Sequence, residues 1–278
     1  MKKKLLHIIP LWFVALACYA QEETPLPLTY QSFLIGGGTT STYDSYLSPL
    51  KYSGMNIGLL GERMKTPRRW KGRIATQHFF NLELADTKNP SGSAQSYVGS
   101  LEYDYGLYYR LNPVRNIQLY TGLQGNLSAG VIYNLRNTNN PANAKVGANL
   151  NLSAMAIYAF QIKRQPIRLR YQMNVPVVGA LFSPEFGQSY YEIGLGDESQ
   201  LIYPAAWHNR LTIRNILSVE IPLKACTLRI TGMNRLYQTH LNDLKTQILS
   251  NAVYVGISKY FHTVSGKQTD KNKYRYVF

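Results

Sequence analysis

Hydrophobic and polar residues alternate with a period of two along most of this chain. The segment 70–85 shows the alternation most clearly, with apolar residues such as Phe80, Leu82 and Leu84 at even positions and polar residues such as Asn81 and Glu83 at odd positions. At 180° per residue the two sets separate onto opposite faces, whereas at 100° per residue they would scatter around a helix. The pattern therefore predicts a long strand with one apolar and one polar face.

Ten segments of the chain carry this alternation. It is strong in six of them and weaker in four, which include the first and the last. The segments are 29–37, 55–65, 70–85, 97–110, 117–131, 148–161, 167–175, 211–221, 227–237 and 248–261. An even number of strands returns both ends of a barrel to the same side of a membrane, as in bacterial outer-membrane barrels.

The connections between these segments alternate between long and short. The long ones are 38–54, 86–95, 134–145, 177–208 and 238–247, and short turns join the remaining neighbours. Outer-membrane barrels have long external loops and short periplasmic turns, and their closure pairs every backbone polar group inside the hydrocarbon. The sequence therefore predicts an all-β fold, a ten-stranded antiparallel up-and-down transmembrane β-barrel over residues 21–261.

The composition excludes two other classes of protein. Charged residues make up only 16% of the chain, although the mean hydropathy is slightly polar at -0.22. A helical membrane protein would be more apolar, and a disordered chain would not contain 45% hydrophobic residues. Tyrosine (22 residues) and glycine (21 residues) take the place of the missing charges, and they favour strands and turns respectively.

The first twenty residues have the features of an export signal. Lys2 to Lys4 form a basic start, residues 5–17 are apolar, and Cys18-Tyr19-Ala20 forms a cleavage site before Gln21. A lipoprotein signal with Cys18 as the lipidated residue is the alternative. Only Cys226 then remains, so the mature chain contains no internal disulfide. We expect a signal peptide over 1–20, a barrel located in the outer membrane, and a basic periplasmic tail over 262–278.

One stretch of the longest connection carries a family resemblance. Residues 181–193 read Leu-Phe-Ser-Pro-Glu-Phe-Gly-Gln-Ser-Tyr-Tyr-Glu-Ile, and the strands 168–176 and 70–84 are similar to the same family. The chain resembles an uncharacterised family of Gram-negative outer-membrane proteins known only as a domain of unknown function. The resemblance spans nearly the whole mature chain and implies the barrel fold, but it implies no activity.

The polar face of the strands predicts a charged barrel interior. Its expected charged residues are Arg73, Glu83, Glu102, Asp104, Arg168, Arg170, Arg214, Glu220, Arg229 and Arg235. In a barrel this narrow, we expect the charges to pair with one another. The alternative is a narrow channel selective for anions, because arginines outnumber carboxylates in this set. No Cys/His spacing suggests a metal site, and no cofactor is expected.

The connection 177–208 is the expected place of function. It is predicted either to plug the mouth or to present a ligand platform through Phe182, Phe186, Tyr190, Tyr191 and Trp207, because aromatic rings stack on sugars and on apolar ligands. A surface-binding or structural barrel that uses this loop is therefore the main functional hypothesis.

A surface hydrolase is the second alternative. Its nucleophile would be Ser183 or Ser189, with His208 as the base beside Glu185, Glu192 or Asp197. No spacing in the sequence matches the known barrel enzymes, so the chain is not assigned a catalytic residue.

The excess of basic residues predicts partners on the periplasmic side. Cations lie at the short turns, including Lys65, Lys163, Arg164 and Lys224, and others lie in the tail. They are expected to meet membrane phosphates, acidic groups of the cell wall or a protein partner, in addition to the outer-membrane lipid around the barrel. Nucleic acid is not an expected partner, because the chain has no recognition module.

Overall fold

The computed structural model describes residues 28–67, 72–114, 116–196, 201–224 and 226–262. Within these ranges it contains eleven strands and one short helix. In chain order they are β1 (Leu28–Asp44), β2 (Ser48–Thr66), β3 (Ile74–Lys88), β4 (Gln95–Val114), β5 (Ile117–Asn134), β6 (Ala142–Ile162), β7 (Gln165–Phe182), α1 (Tyr190–Gly194), β8 (Ile202–Ala206), β9 (Arg210–Pro222), β10 (Thr227–Leu241) and β11 (Leu244–His262). The predicted signal peptide 1–20 and the tail beyond 262 lie outside the described residues.

The strands close into a ten-stranded antiparallel barrel, in which β8 and β9 together occupy one position. Each strand from β1 to β6 pairs with the next, β7 pairs with β9, β9 to β11 follow in order, and β11 returns to β1. The eleventh strand, β8, pairs with Val178–Phe182 of β7 and extends β9 beyond the turn at 207–209. The predicted ten-stranded, all-β antiparallel barrel is confirmed.

Side chains alternate between the interior and the outer surface of this barrel. In β3 the odd-numbered residues from Ala75 to Ala85 are buried, whereas Phe80 and Leu84 are exposed, as the sequence predicts. Each of the ten barrel positions contributes exposed large apolar residues. Examples, one from each, are Phe33, Ile57, Leu84, Leu107, Leu123, Leu152, Leu169, Leu217, Ile230 and Val255. An apolar band of this extent surrounding a polar interior is the surface of a barrel that sits in a bilayer.

The strands extend further than the apolar alternation predicts. β1 continues to Asp44, and β10 meets β11 through a tight turn in which Asn242 and Asp243 both have positive φ, 51° and 58°. Two positive φ values are the geometry of a type I′ hairpin. At these ends the outward residues are polar, such as Thr39 and Ser41, so the hydropathy pattern fades while backbone pairing continues. The predicted long connections 38–54 and 238–247 are therefore short turns, and the longest separation between consecutive strands is that from Phe182 to Ile202, of which the structure describes residues 183–196 and 201.

The interior of the barrel is layered along its axis. Three of the four buried apolar clusters among the described residues lie at successive heights, marked on β1 and its following turn by Tyr30, Leu34 and Tyr46. Most of the charged interior side chains lie between these heights, whereas Asp44, which pairs with Lys145, lies beside Tyr46. We call the end where the chain termini lie the terminal end and the opposite end, with Tyr46, the mouth. No helix among the described residues is long and apolar enough to cross a membrane.

Candidate functional site

The barrel interior collects nearly all the charged residues that the sequence predicts for it. Nine of the ten are buried or half-buried: Glu83, Glu102, Asp104, Arg168, Arg170, Arg214, Glu220, Arg229 and Arg235. Arg73 is a correction, because its side chain is exposed. Gly72, with a φ of 70°, breaks the extended backbone just before β3 begins at Ile74, so the alternation of the strand does not reach Arg73.

The layer nearer the terminal end is organised around a buried carboxylate, Glu62. Arg229 Nη1 donates to Glu62 Oε2 at 2.6 Å, Arg170 Nη2 donates to Glu62 Oε1, and Gln77 Nε2 donates to Oε1 at 2.6 Å. Charge-assisted bonds of this kind are about twice as strong as neutral ones. We call this layer the terminal ion network; it comprises Glu62, Glu220, Arg168, Arg170 and Arg229.

The layer nearer the mouth is organised around two arginines. Arg214 donates to Glu102 Oε2 at 2.6 Å and also to Asp104, and Arg235 Nη1 donates to Glu102 Oε1 at 2.8 Å. Arg235 Nη2 lies 3.6 Å from Glu83 Oε1. The planar guanidinium fork lets each arginine bridge two carboxylates. We call this layer the mouth-side ion network; it comprises Glu83, Glu102, Asp104, Arg214 and Arg235.

Ion pairing in the described interior is balanced in charge. The pairs join six cations with six carboxylates, because Lys145 pairs with Asp44 and Glu62 adds a further acid. The sequence pattern missed Glu62 because its strand carries inward apolar residues such as Leu60, which hide the polar face. Asp44 was missed because the pattern placed residues 38–54 in a loop. Lys145 was missed because the pattern placed it in a loop.

The long connection folds across the mouth. Tyr46 Oη donates to the carbonyl oxygen of Gln188 at 2.5 Å, and Asn242 Nδ2 donates to that of Pro184 at 3.0 Å. The backbone N–H of Ala144 donates to Tyr190 Oη at 2.6 Å. Partners on three different connections or strands therefore fix this stretch, residues 183–196, which we call the mouth segment.

The hydroxyl of Tyr46 stays protonated in this position. Burial, together with smaller contributions from the nearby Tyr190, Asp44 and Glu192, raises the pKa of Tyr46 to about 12. A neutral phenol is the form that donates to Gln188, so the docking contact is present throughout the ordinary pH range.

The five aromatic residues predicted to bind a ligand divide into two groups. Phe182 and Tyr190 are half-buried and stack with ring centroids 6.3 Å apart. Phe186 and Tyr191 are each 74% exposed, and Trp207 is 68% exposed, with its Nε1 donating to the carbonyl oxygen of Pro176 at 2.8 Å. One group thus anchors the mouth segment, and the other is presented to the outside.

The residues considered for hydrolysis have other partners. Ser189 caps α1, accepting from the backbone N–H of Glu192 while the Glu192 carboxylate accepts from the Ser189 backbone N–H. Ser183 Oγ donates to the carbonyl oxygen of Pro184 at 3.3 Å. His208 is exposed and, within the described ranges, forms no hydrogen bond to either serine. Those ranges also contain no cluster of three or more His, Cys, Asp or Glu side chains suited to a metal ion.

Solved structures similar to this chain are barrels of the outer membrane. The transport unit of the autotransporter AIDA-I from Escherichia coli is 10% identical, with a TM-score of 0.47, and the similarity covers 90% of this chain and 94% of that one. The outer-membrane protease OmpT from Escherichia coli is 8% identical, with a TM-score of 0.48 and coverage of 87% and 99%. The COG4313 outer-membrane channel from Pseudomonas putida F1 is 9% identical, with a TM-score of 0.35 and coverage of 86% and 97%. Identities and scores this low transfer no function.

One family model covers almost the whole chain. No curated protein matches the chain. The model of a family described as proteins of unknown function, DUF3316, matches residues 5–268, which includes all the strands described above. This match confirms the resemblance expected from the sequence. The chain belongs to the DUF3316 family of proteins of unknown function.

Proposed function

We propose that this chain is an outer-membrane barrel, closed to free diffusion, that uses the mouth segment as a surface-binding platform. The outward apolar band supports its location in a bilayer, and the predicted signal peptide supports export. The observation that carries the binding role is the division of the loop aromatics. Tyr190 is packed into the mouth, while Phe186 and Tyr191 are exposed on the same anchored segment.

Anchoring makes these exposed rings suitable for binding. A segment that is already fixed loses little conformational freedom when it binds, so more of the contact energy appears as affinity. Flat rings held at the barrel mouth can stack on sugar rings. The ligand class that this geometry supports is the glycan at the bacterial surface.

A fluorescence titration tests the platform. Trp207 lies beside the segment and is exposed, so a Trp70→Phe background leaves it as the tryptophan of the predicted mature chain. We expect purified lipopolysaccharide core oligosaccharide to change its emission saturably, and Phe186→Ala with Tyr191→Ala to weaken the affinity at least tenfold. Leu135→Ala, an exposed residue in another mouth connection, is the matched control and leaves the affinity unchanged. Equal affinities in all three proteins would rule out the platform.

The ion networks that cross the interior argue against the channel alternative. The two ion networks and the mouth segment form successive barriers along the barrel axis. We therefore expect planar-bilayer recordings to show no conductance for the full chain. Replacing 184–200 with a short Gly-Ser linker still leaves the ion networks in place, so it should not open the barrel. Conductance in the full chain would refute the closed barrel, and conductance in the shortened chain would refute the networks as barriers.

The basic rim at the terminal end stays a prediction. Lys163, Arg164 and Lys224 are exposed in the turns at this end, where they are available to anionic groups of the inner leaflet or the cell wall.

A further inference from the structure

A cavity lies inside the barrel beneath the mouth segment. One part of its wall is apolar and includes Val98, Ile132 and Ile248, which belong to the cluster that Tyr190 covers. Another part is basic and includes Arg210, Arg214 and Arg235. Lys145 also lines it, and Glu102 is the one carboxylate among its described lining residues. The cavity is therefore amphipathic, with a cationic side.

Arg210 brings to the cavity a positive charge that has no ion pair among the described residues. The cations of the two ion networks pair with carboxylates, whereas Arg210 donates from Nε to Thr212 Oγ1 at 3.0 Å and from Nη1 to Asn149 Oδ1, and its guanidinium lies 5.6 Å from the ring centroid of Tyr237. Its Nη2 has no hydrogen bond within the described residues. A buried guanidinium without a carboxylate partner is costly unless an anion accompanies it.

A second donor in the same wall is also unused. Arg235 is only 5% exposed, and its Nη1 and Nη2 are engaged by Glu102 and Ser100, but its Nε is buried without a partner. Buried polar groups of folded proteins are nearly always hydrogen-bonded, to water or ligand where protein does not serve. Arg210 and Arg235 therefore both have donor capacity for an acceptor in or beside the cavity.

The size and wall of the cavity restrict that acceptor. The cavity offers about 70 Å³ to the centres of water molecules. This is room for roughly five waters, or for a molecule of about seven non-hydrogen atoms. An inorganic anion would leave the apolar wall without contacts. We propose that the cavity is a binding site for a small organic carboxylate whose charged end meets Arg210 and Arg235 and whose short apolar body packs on Ile132 and Ile248. This inference does not depend on the glycan platform.

Calorimetric titration of the full barrel in detergent tests the site. The probes are pentanoate, pentanol and inorganic phosphate at constant ionic strength. We expect saturable binding of pentanoate, at least tenfold tighter than that of either other probe. Absence of saturable pentanoate binding to the wild-type barrel overturns the proposal, as does equally tight binding of pentanol. Equally tight binding of phosphate would mean that the site recognises only the negative charge, and it would overturn the proposal that the ligand is an organic carboxylate.

Paired variants locate the site. Arg210→Gln should weaken pentanoate binding at least tenfold, whereas Arg136→Gln, the same change at an exposed mouth residue, should leave it unchanged. Glu102→Gln removes the competing carboxylate and should tighten pentanoate binding, a change that mere loss of folding would not produce. Gel mobility of unboiled samples verifies that each variant is closed. Wild-type affinity in a closed Arg210→Gln barrel, or unchanged affinity in closed Glu102→Gln, contradicts the assignment.

Discussion

Replacing Glu62 with glutamine perturbs the terminal ion network at its centre. The side chain of Glu62 is buried and accepts hydrogen bonds from Arg170, Arg229 and Gln77. Bonds to a charged group contribute about 1.5–3 kcal/mol and neutral ones about 0.5–1.5 kcal/mol. The amide oxygen can still accept from Arg170 and Gln77, and each of these bonds loses roughly 1 kcal/mol, whereas the amide NH2 cannot accept from Arg229, so that bond is lost at a cost of roughly 2 kcal/mol. The isosteric amide leaves the packing unchanged. We therefore expect the free energy of unfolding to fall by about 4 kcal/mol, similar to the cost of breaking other buried ion pairs.

Urea unfolding of the barrel in lipid vesicles measures this loss. Tryptophan fluorescence follows the transition, and the mobility of unboiled samples on a gel verifies closure before unfolding. Glu185→Gln is the matched control, because the same chemical change at an exposed position of the mouth segment should cost almost nothing. A loss below about 1 kcal/mol for Glu62→Gln would refute the reasoning, because the carboxylate would then be solvated rather than buried between two arginines.

Other substitutions test the outer surface and the mouth. Leu123→Arg, on the outward face of β5, should cost about 2–4 kcal/mol in urea unfolding from a bilayer, whereas Leu135→Arg in a mouth connection should cost little; equal losses would contradict the bilayer placement. The pKa of Tyr46 is raised when the mouth segment is docked, so docking should be intact below pH 10 and lost as pH rises to about 12. Protease cleavage of the mouth segment reports this change, and Tyr46→Phe should abolish the pH step; an unchanged step would assign it to another group. Ser189→Ala removes the cap of α1 and should cost about 1 kcal/mol locally, seen as faster amide exchange in α1 but not in the strands; unaltered exchange would contradict the cap.

The fold was predictable from the sequence because the alternation of apolar and polar residues with a period of two shows which residues of a strand face outward and which face inward. In β3 every inward residue from Ala75 to Ala85 was correctly placed by parity alone. The ends of the strands were not predictable in this way. Thr39 and Ser41 continue the backbone pairing of β1 with outward polar side chains, and hydropathy carries no information where neither face is apolar.

The candidate site was only partly predictable. Parity identified which charged residues face inward on strong strands, such as Arg214 and Glu102, but it could not identify their partners. Arg170 and Glu62 are 108 positions apart in the sequence, and closure of the barrel brings them together. The docking of Tyr190 and Tyr46 depends on how a long connection folds, which no local pattern encodes. Glu62 itself was hidden because β2 carries apolar residues such as Leu60 on its inward face.

The charged layers of the interior help to specify one register for each strand of the barrel. Apolar residues alone would not distinguish well between the inner and outer faces, because side chains such as Leu34 and Ile35 are apolar on both. Slipping a strand by one residue exchanges its two faces. Such a slip in β2 would turn Glu62 toward the bilayer and leave Arg170 and Arg229 without their carboxylate. Since buried ion pairs often add little net stability over apolar residues of similar volume, we infer that the networks act mainly by penalising wrong strand registers.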